Sequence, residues 1–189
     1  MKFIINRLNC LLLLMMLVAC QSSDMDRYRT LVKNELNKNK KVNDIFLGIS
    51  LGMTSKDFYL HCWNKNKEGV FTDGPGNMSV LYKLPQNELP HEAEMNFYPE
   101  FKNDKIYKLW DKFHYKGWSP WNKHLNSERL LPEVLRLYKK WYPDGNPFLT
   151  IKDPKRGTLY VKVDGNRQIV IGIFDDTDVK VEYTDLSVK

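Results

Sequence analysis

Apolar residues along the chain switch between two spacings, and the switch marks out the elements. Phe58, Tyr59, Cys62 and Trp63 fall three and four apart, as on one face of a helix. Thr54, followed three residues later by Asp57, resembles a capping box. A helix is therefore expected over 55–67, stopped near Gly69. Leu131, Val134, Leu135, Tyr138 and Trp141 repeat the helical spacing, and Pro132 suits a first helical position. A second helix is expected over 131–142, ended by Pro143 and Gly145. Elsewhere apolar residues alternate or run together, as in strands. Strands are expected over 79–84, 94–98 and 105–115, then over 148–152, 158–164, 167–174 and 179–185. Asp73-Gly74-Pro75-Gly76 reads as a turn. In the 105–115 run, period two puts Tyr107, Leu109, Phe113 and Tyr115 on one face, with Asp111 the exception among them.

One loop allows a parity argument. If Leu159, Val161 and Val163 share a face with Ile169, Ile171 and Ile173, the connecting loop needs an odd number of residues. Asp164-Gly165-Asn166 supplies three. The order is helix and about three strands, then helix and about four strands. That predicts an α+β fold: two short helices on one face of an antiparallel sheet, with the two halves a diverged helix-plus-strands tandem. Residues 45–189 form this single domain. Residues 20–44 are polar, with a Lys-Asn run from Lys33 to Lys41, and read as a solvated tether with helical spacing in part.

The longest apolar run is at the start. Lys2 and Arg7 precede Cys10 to Ala19, and polar residues follow Cys20. A charged start, a short apolar core and small residues at the end describe a secretory signal peptide over 1–19. Leu17-Val18-Ala19-Cys20 is similar to the lipobox of bacterial lipoproteins. That resemblance implies diacylglycerol on the Cys20 thiol, cleavage before it, palmitate-type acylation and a membrane anchor in the cell envelope. Gln21, in place of Asp, implies the outer membrane rather than the inner. Asp24 and Asp26 resemble a loose acidic export tag, which leaves both periplasmic and surface-facing placements open. Leu47-Gly48-Ile49-Ser50-Leu51-Gly52-Met53-Thr54, entering a short helix, resembles the opening of the SmpA/OmlA (BamE-like) outer-membrane lipoproteins. This implies a non-catalytic protein that binds or supports another envelope component.

Charge and composition narrow the chemistry. The chain has 189 residues, 29 Lys+Arg against 23 Asp+Glu and a formal charge of +6, with the charges interspersed. Together with export, that speaks against nucleic acid as a partner. Of three Cys, only Cys62 would remain unmodified in the mature chain, so no internal disulfide is expected there. Phosphate loops, dinucleotide fingerprints and nucleophile elbows are absent. His61, His91, His114 and His124 lack zinc spacing, and Asp175-Asp176-x-Asp178 lacks the glycine and distal Glu of a calcium loop. No cofactor or metal is expected. Tyr115, Trp118 and Trp121 flank Gly117 and Pro120 in a loop, and rings in loops are candidates for a binding surface. The leading expectation is a non-enzymatic, lipid-anchored binding or scaffold module with an envelope protein partner. The alternatives are a glycan-binding accessory using Tyr115, Trp118 and Trp121, or a hydrolase with no motif recognised.

Overall fold

The computed structural model describes residues 23–188. The fold is α+β. Three helices, α1 (Asp24–Asn37), α2 (Ser55–Lys67) and α3 (Ser127–Trp141), accompany eight strands. The strands are β1 (Phe71–Asp73), β2 (Val80–Lys83), β3 (Ala93–Lys102), β4 (Lys105–Tyr115), β5 (Leu149–Asp153), β6 (Gly157–Asp164), β7 (Arg167–Ile173) and β8 (Val179–Asp185). They form one antiparallel sheet in the order β1-β2-β3-β4-β8-β7-β6-β5. After α1, the described residues repeat a helix followed by a four-strand meander, and the two units join through their last strands, β4 and β8. The first half has four strands, one more than expected: β1 is only three residues long and lies beside the glycine-rich turn that hides it in the sequence.

Local chemistry sets the element ends. Thr54 caps α2 by accepting the Asp57 N–H at 3.1 Å, so this helix spans the expected residues. α3 begins earlier than its apolar spacing suggests. Asn126 is the cap, accepting the Arg129 N–H at 3.1 Å, and Pro132 lies inside the helix rather than at its start. Proline there withholds the donor that residue 132 would otherwise offer to the Glu128 carbonyl. β3 runs through Pro99, past the end of β2, where a strand tolerates proline because no ladder partner lies on that side. β3 and β4 are joined by Asn103-Asp104, both with positive φ (50° and 61°), which fits the tight two-residue hairpin turn. The register shifts between Glu100 and Phe101, so Tyr107 becomes the extra residue of a bulge. Ile106, 1% exposed, takes the core place expected of Tyr107.

The parity argument fails for an instructive reason. Asp164 pairs with Arg167, so the β6–β7 loop has two residues, with Gly165 at φ 56°. Leu159, Val161 and Val163 thus face away from Ile169 and Ile171. Both sets are buried because both faces of this end of the sheet are covered. α2 and α3 share the main core with Phe97, Phe113, Ile169, Ile171 and Val181. α1 covers the opposite face, packing Tyr28, Leu31 and Val32 on Ile151, Leu159, Val161 and Val163.

The stretch expected as a solvated tether is therefore, from Asp24 to Asn37, a docked helix, and the folded unit starts before residue 45. Ser23 caps it. Tyr28 donates its hydroxyl to Gln168 at 2.5 Å, and Glu35, 4% exposed, accepts the Gly165 N–H at 2.9 Å. Burial alone would push the Glu35 carboxyl up. Hydrogen bonds from Lys38, Gly165 and Asn146 outweigh it and hold the carboxyl at about 2.

Candidate functional site

Side chains of β4 alternate in and out. Leu109, Asp111, Phe113 and Tyr115 point to the core, and Trp110, Lys112 and His114 point to the other face. α1 covers that other face over β5, β6 and the start of β7. Among the described residues, no helix covers it across β3, β4, β8 and the end of β7. An antiparallel sheet tolerates one wet face, normally a polar one. This face is not uniformly polar. Phe174, just after β7, is 52% exposed, Met78 is 76% exposed, and Trp110 is half-buried on β4.

A ridge divides the face into two hollows. The Lys112 ammonium sits 3.8 Å from the centre of the Phe174 ring, with the Lys180 ammonium at 5.9 Å, so the ring is clasped by cations. On one side is a hollow of about 590 Å³ lined by Pro75, Met78, Asn96, Trp110, His114 and Asp178. On the other is one of about 490 Å³ lined by Arg156, Leu159, Val170, Gly172, Phe174 and Glu182. Gly172 forms part of this floor for a steric reason: a Cβ there would lie 2.5 Å from Leu159 Cδ2.

Charges on the face are paired. Lys112 lies 3.8 Å from Asp178, and His114 bridges Glu94 at 3.5 Å and Asp178 at 4.0 Å. Glu182 takes Lys108 and Lys180 at 3.1 Å each and Arg156 at 3.9 Å. The two carboxylates respond differently. Burial, aided by the Asp175 charge, pushes Asp178 up against the pull of His114 and Lys112. Burial also acts on Glu182, but Lys180 and Lys108 outweigh it and hold that carboxyl down. Asp175 itself shapes the turn, accepting the N–H groups of Thr177 and Asp178 at 2.9 and 2.8 Å.

The three rings singled out from the sequence do not form one surface. Tyr115 is 2% exposed, stacks edge-on against His91 at 5.3 Å, and has its hydroxyl pushed up to about 12 by burial. It belongs to the core because it continues the inward alternation of β4. Trp118 is half-buried against the core, past the Gly117 turn. Trp121 alone stands out, at 82% exposed. Cys20 lies outside the described residues. Cys62 is a half-buried free thiol, pushed up to about 11 by burial, and packs against the core. Trp110, Met78 and Phe174 went unnoticed in the sequence. Trp110 reads as one more member of an alternating strand, and Phe174 as the last residue of one. The usable signal was a Trp on the lysine- and histidine-bearing side of β4.

No family model, curated protein or solved structure matches this chain.

Proposed function

We propose that the protein is a lipid-anchored, non-catalytic binding module of the cell envelope, and that it holds an envelope protein partner on the open face of its sheet. The observation that carries the reading is that face itself. Two hollows meet at a cation-clasped Phe174, with Trp110 and Met78 beside them and charged residues around them. An aromatic and Met centre within a polar surround is how protein interfaces are built. Binding is favoured over hydrolysis because the carboxylates there are occupied by cations rather than free to exchange protons with a substrate. The glycan alternative loses its platform, since Tyr115 is sealed in the core.

The anchor part of the reading rests on the lipobox-like Leu17-Val18-Ala19-Cys20. Because α1 is docked, Cys20 and Asp24 can be at most ~14 Å apart along the chain. An acylated Cys20 would hold the start of α1, and the β5–β6 end of the sheet that α1 covers, close to the bilayer rather than on a long leash.

The test is site-specific photocrosslinking in cells. A crosslinker at Trp110 or Phe174 should capture one and the same envelope protein, and a crosslinker at Trp63 on the outer side of α2 should not. Equal capture from both positions, or none from the sheet face, defeats the reading. Labelled palmitate on the wild type and its loss in Cys20→Ala test the anchor separately.

A further inference from the structure

On the side of the sheet that α2 and α3 cover lies a third hollow, which the binding reading leaves unused. Its volume is about 260 Å³, and its walls carry Phe46, Tyr82, Trp141, Tyr142 and Glu88. The four rings come from three separate parts of the chain: the turn before α2, strand β2 and the end of α3. None of them is fully buried, so each can meet a ligand. Each also packs against a buried ring. Phe46 lies edge-on to Phe97 at 4.9 Å, Tyr82 to Phe71 at 6.2 Å and Tyr142 to Tyr183 at 6.3 Å, and Trp141 tilts on Tyr138 at 5.3 Å. Among the described residues, no ring contact joins any two of the four, so the space between them stays open. Walls fixed in this way can receive a ligand without reorganising.

Charge distinguishes this hollow from the two on the open face. Lys112 lines one of those, and Arg156 and Lys180 the other. Here, among the described residues, the charged member of the lining is Glu88, whose side chain keeps 20% of its surface. The Lys140 ammonium that pairs with Glu88 at 3.0 Å is exposed and stands outside the lining. Burial and the Glu88 charge together push the Tyr82 hydroxyl up, so that charge reaches the opposite ring. Aromatic rings and a carboxylate attract cations. Hydrogen-bond acceptors, by contrast, are already in use. The Ile45 carbonyl accepts from Tyr142, the Phe46 carbonyl from the Ile49 N–H at 2.9 Å, and the Leu47 carbonyl from the His61 ring at 2.8 Å. An ammonium or guanidinium brings several N–H groups and would lose water here without replacement. A quaternary ammonium has no N–H group, and its methyl groups suit aromatic walls.

We propose that this hollow binds a quaternary ammonium group, with Phe46, Tyr82, Trp141 and Tyr142 as its walls and Glu88 as its counter-charge. The chemical class is the trimethylammonium head of choline, which a free solute or a phosphatidylcholine surface can present. Glu88 turns anions away, and a neutral apolar solute of the same shape lacks the attraction of cation to ring. The site is separate from the open face and depends neither on the protein partner nor on the lipid anchor.

The test uses the full mature chain carrying Cys20→Ala, so that no lipid is attached. Choline chloride is titrated against sodium chloride of equal ionic strength, and the Trp141 indole N–H signal, identified by its loss in Trp141→Phe, is followed by NMR. Dimethylbutanol, the neutral carbon isostere of choline, is titrated in parallel. Choline should shift the signal saturably and bind about tenfold tighter than the alcohol, as expected of a desolvated cation on aromatic walls. Equal affinity for the two, or no saturable shift with choline, overturns the proposal. Tyr82→Leu should weaken choline about tenfold, and Glu88→Gln severalfold, each leaving the alcohol unchanged. A choline affinity that neither variant moves puts the cation elsewhere and overturns the site. Vesicles separate the two sources. Sedimentation with phosphatidylcholine but not phosphatidylglycerol vesicles, lost in Tyr82→Leu, assigns the group to a lipid head. Choline binding without sedimentation assigns it to a free solute, and either result supports the site.

Discussion

Along β4, Leu109, Asp111 and Phe113 point under α3 and are 0% exposed, whereas the Lys112 and His114 side chains between and beyond them keep 31% and 26% of their surface. One strand therefore serves two solvents. On the inner face the Asp111 carboxyl accepts from the Tyr138 hydroxyl at one oxygen, leaves Oδ1 without a partner, and has no cation beside it among the described residues. On the outer face a carboxylate such as Glu182 is held by three cations. The difference shows what each face is for. The inner side pairs its polar groups with one another, because water cannot reach them. The outer side keeps charges and rings that water, or a partner, can still reach.

The sharpest way to break this contrast is truncation of matched residues on the two sides. Phe113→Ala empties a fully buried site against Met95, Tyr138 and Val179 and should cost about 3–5 kcal/mol in urea unfolding. A loss below ~1 kcal/mol would mean that α3 does not seal this face as described.

Next in size is the docking of α1, which makes one end of the sheet two-sided. Glu35 is held at about 2, below its ordinary value. A depressed carboxyl stabilises the folded state above the unfolded pKa, and this contribution is lost as pH falls through about 4.5 toward 2. Its full size is of the order of 2–3 kcal/mol. Wild type should lose that much on acidification beyond what Glu35→Gln loses. Parallel acid curves for the two proteins would show that the Gly165 and Lys38 bonds do not hold α1 down.

A smaller effect is expected at Pro132. Replacing it with Ala restores a donor to the Glu128 carbonyl inside α3 and should stabilise by about 1 kcal/mol, less than the full helix-interior penalty because the site is near the helix start. Unchanged stability would mean that the carbonyl is already served by water.

How much of this was legible follows from which forces act locally. α2 was readable because the Thr54 and Asp57 capping pair is local, and β8 because its alternation is uninterrupted, whereas the bulge at Tyr107 broke the pattern at the start of β4. The start of α3 was hidden by Pro132, whose preference for a first position was overruled by the Asn126 cap. The β6–β7 loop was misjudged because Leu159 and Ile169 look alike in sequence, and only the docking of α1 makes both faces dry. The site was less legible than the fold. Whether Trp110 or Tyr115 meets water depends on which face the helices take, a tertiary fact, and the loop rings Trp118 and Trp121 drew attention from strand residues that carry the hollows.

The smallest stability effect belongs to the outer face, and it separates binding from folding. Phe174→Ala removes a ring that is 52% exposed, so little apolar burial is lost. The Lys112 cation loses an attraction worth about 0.5–1 kcal/mol but keeps Asp178 at 3.8 Å. Unfolding should shift by less than ~1 kcal/mol. The same change flattens the ridge between the two hollows, so crosslinking from Trp110 to the envelope partner should fall at least tenfold, as expected for a central interface ring. Stability loss as large as that of Phe113→Ala would make Phe174 a core residue and remove the open face as a site. Unchanged stability with unchanged crosslinking would move the partner away from the ridge, toward the free edge of the sheet or the exposed Trp121.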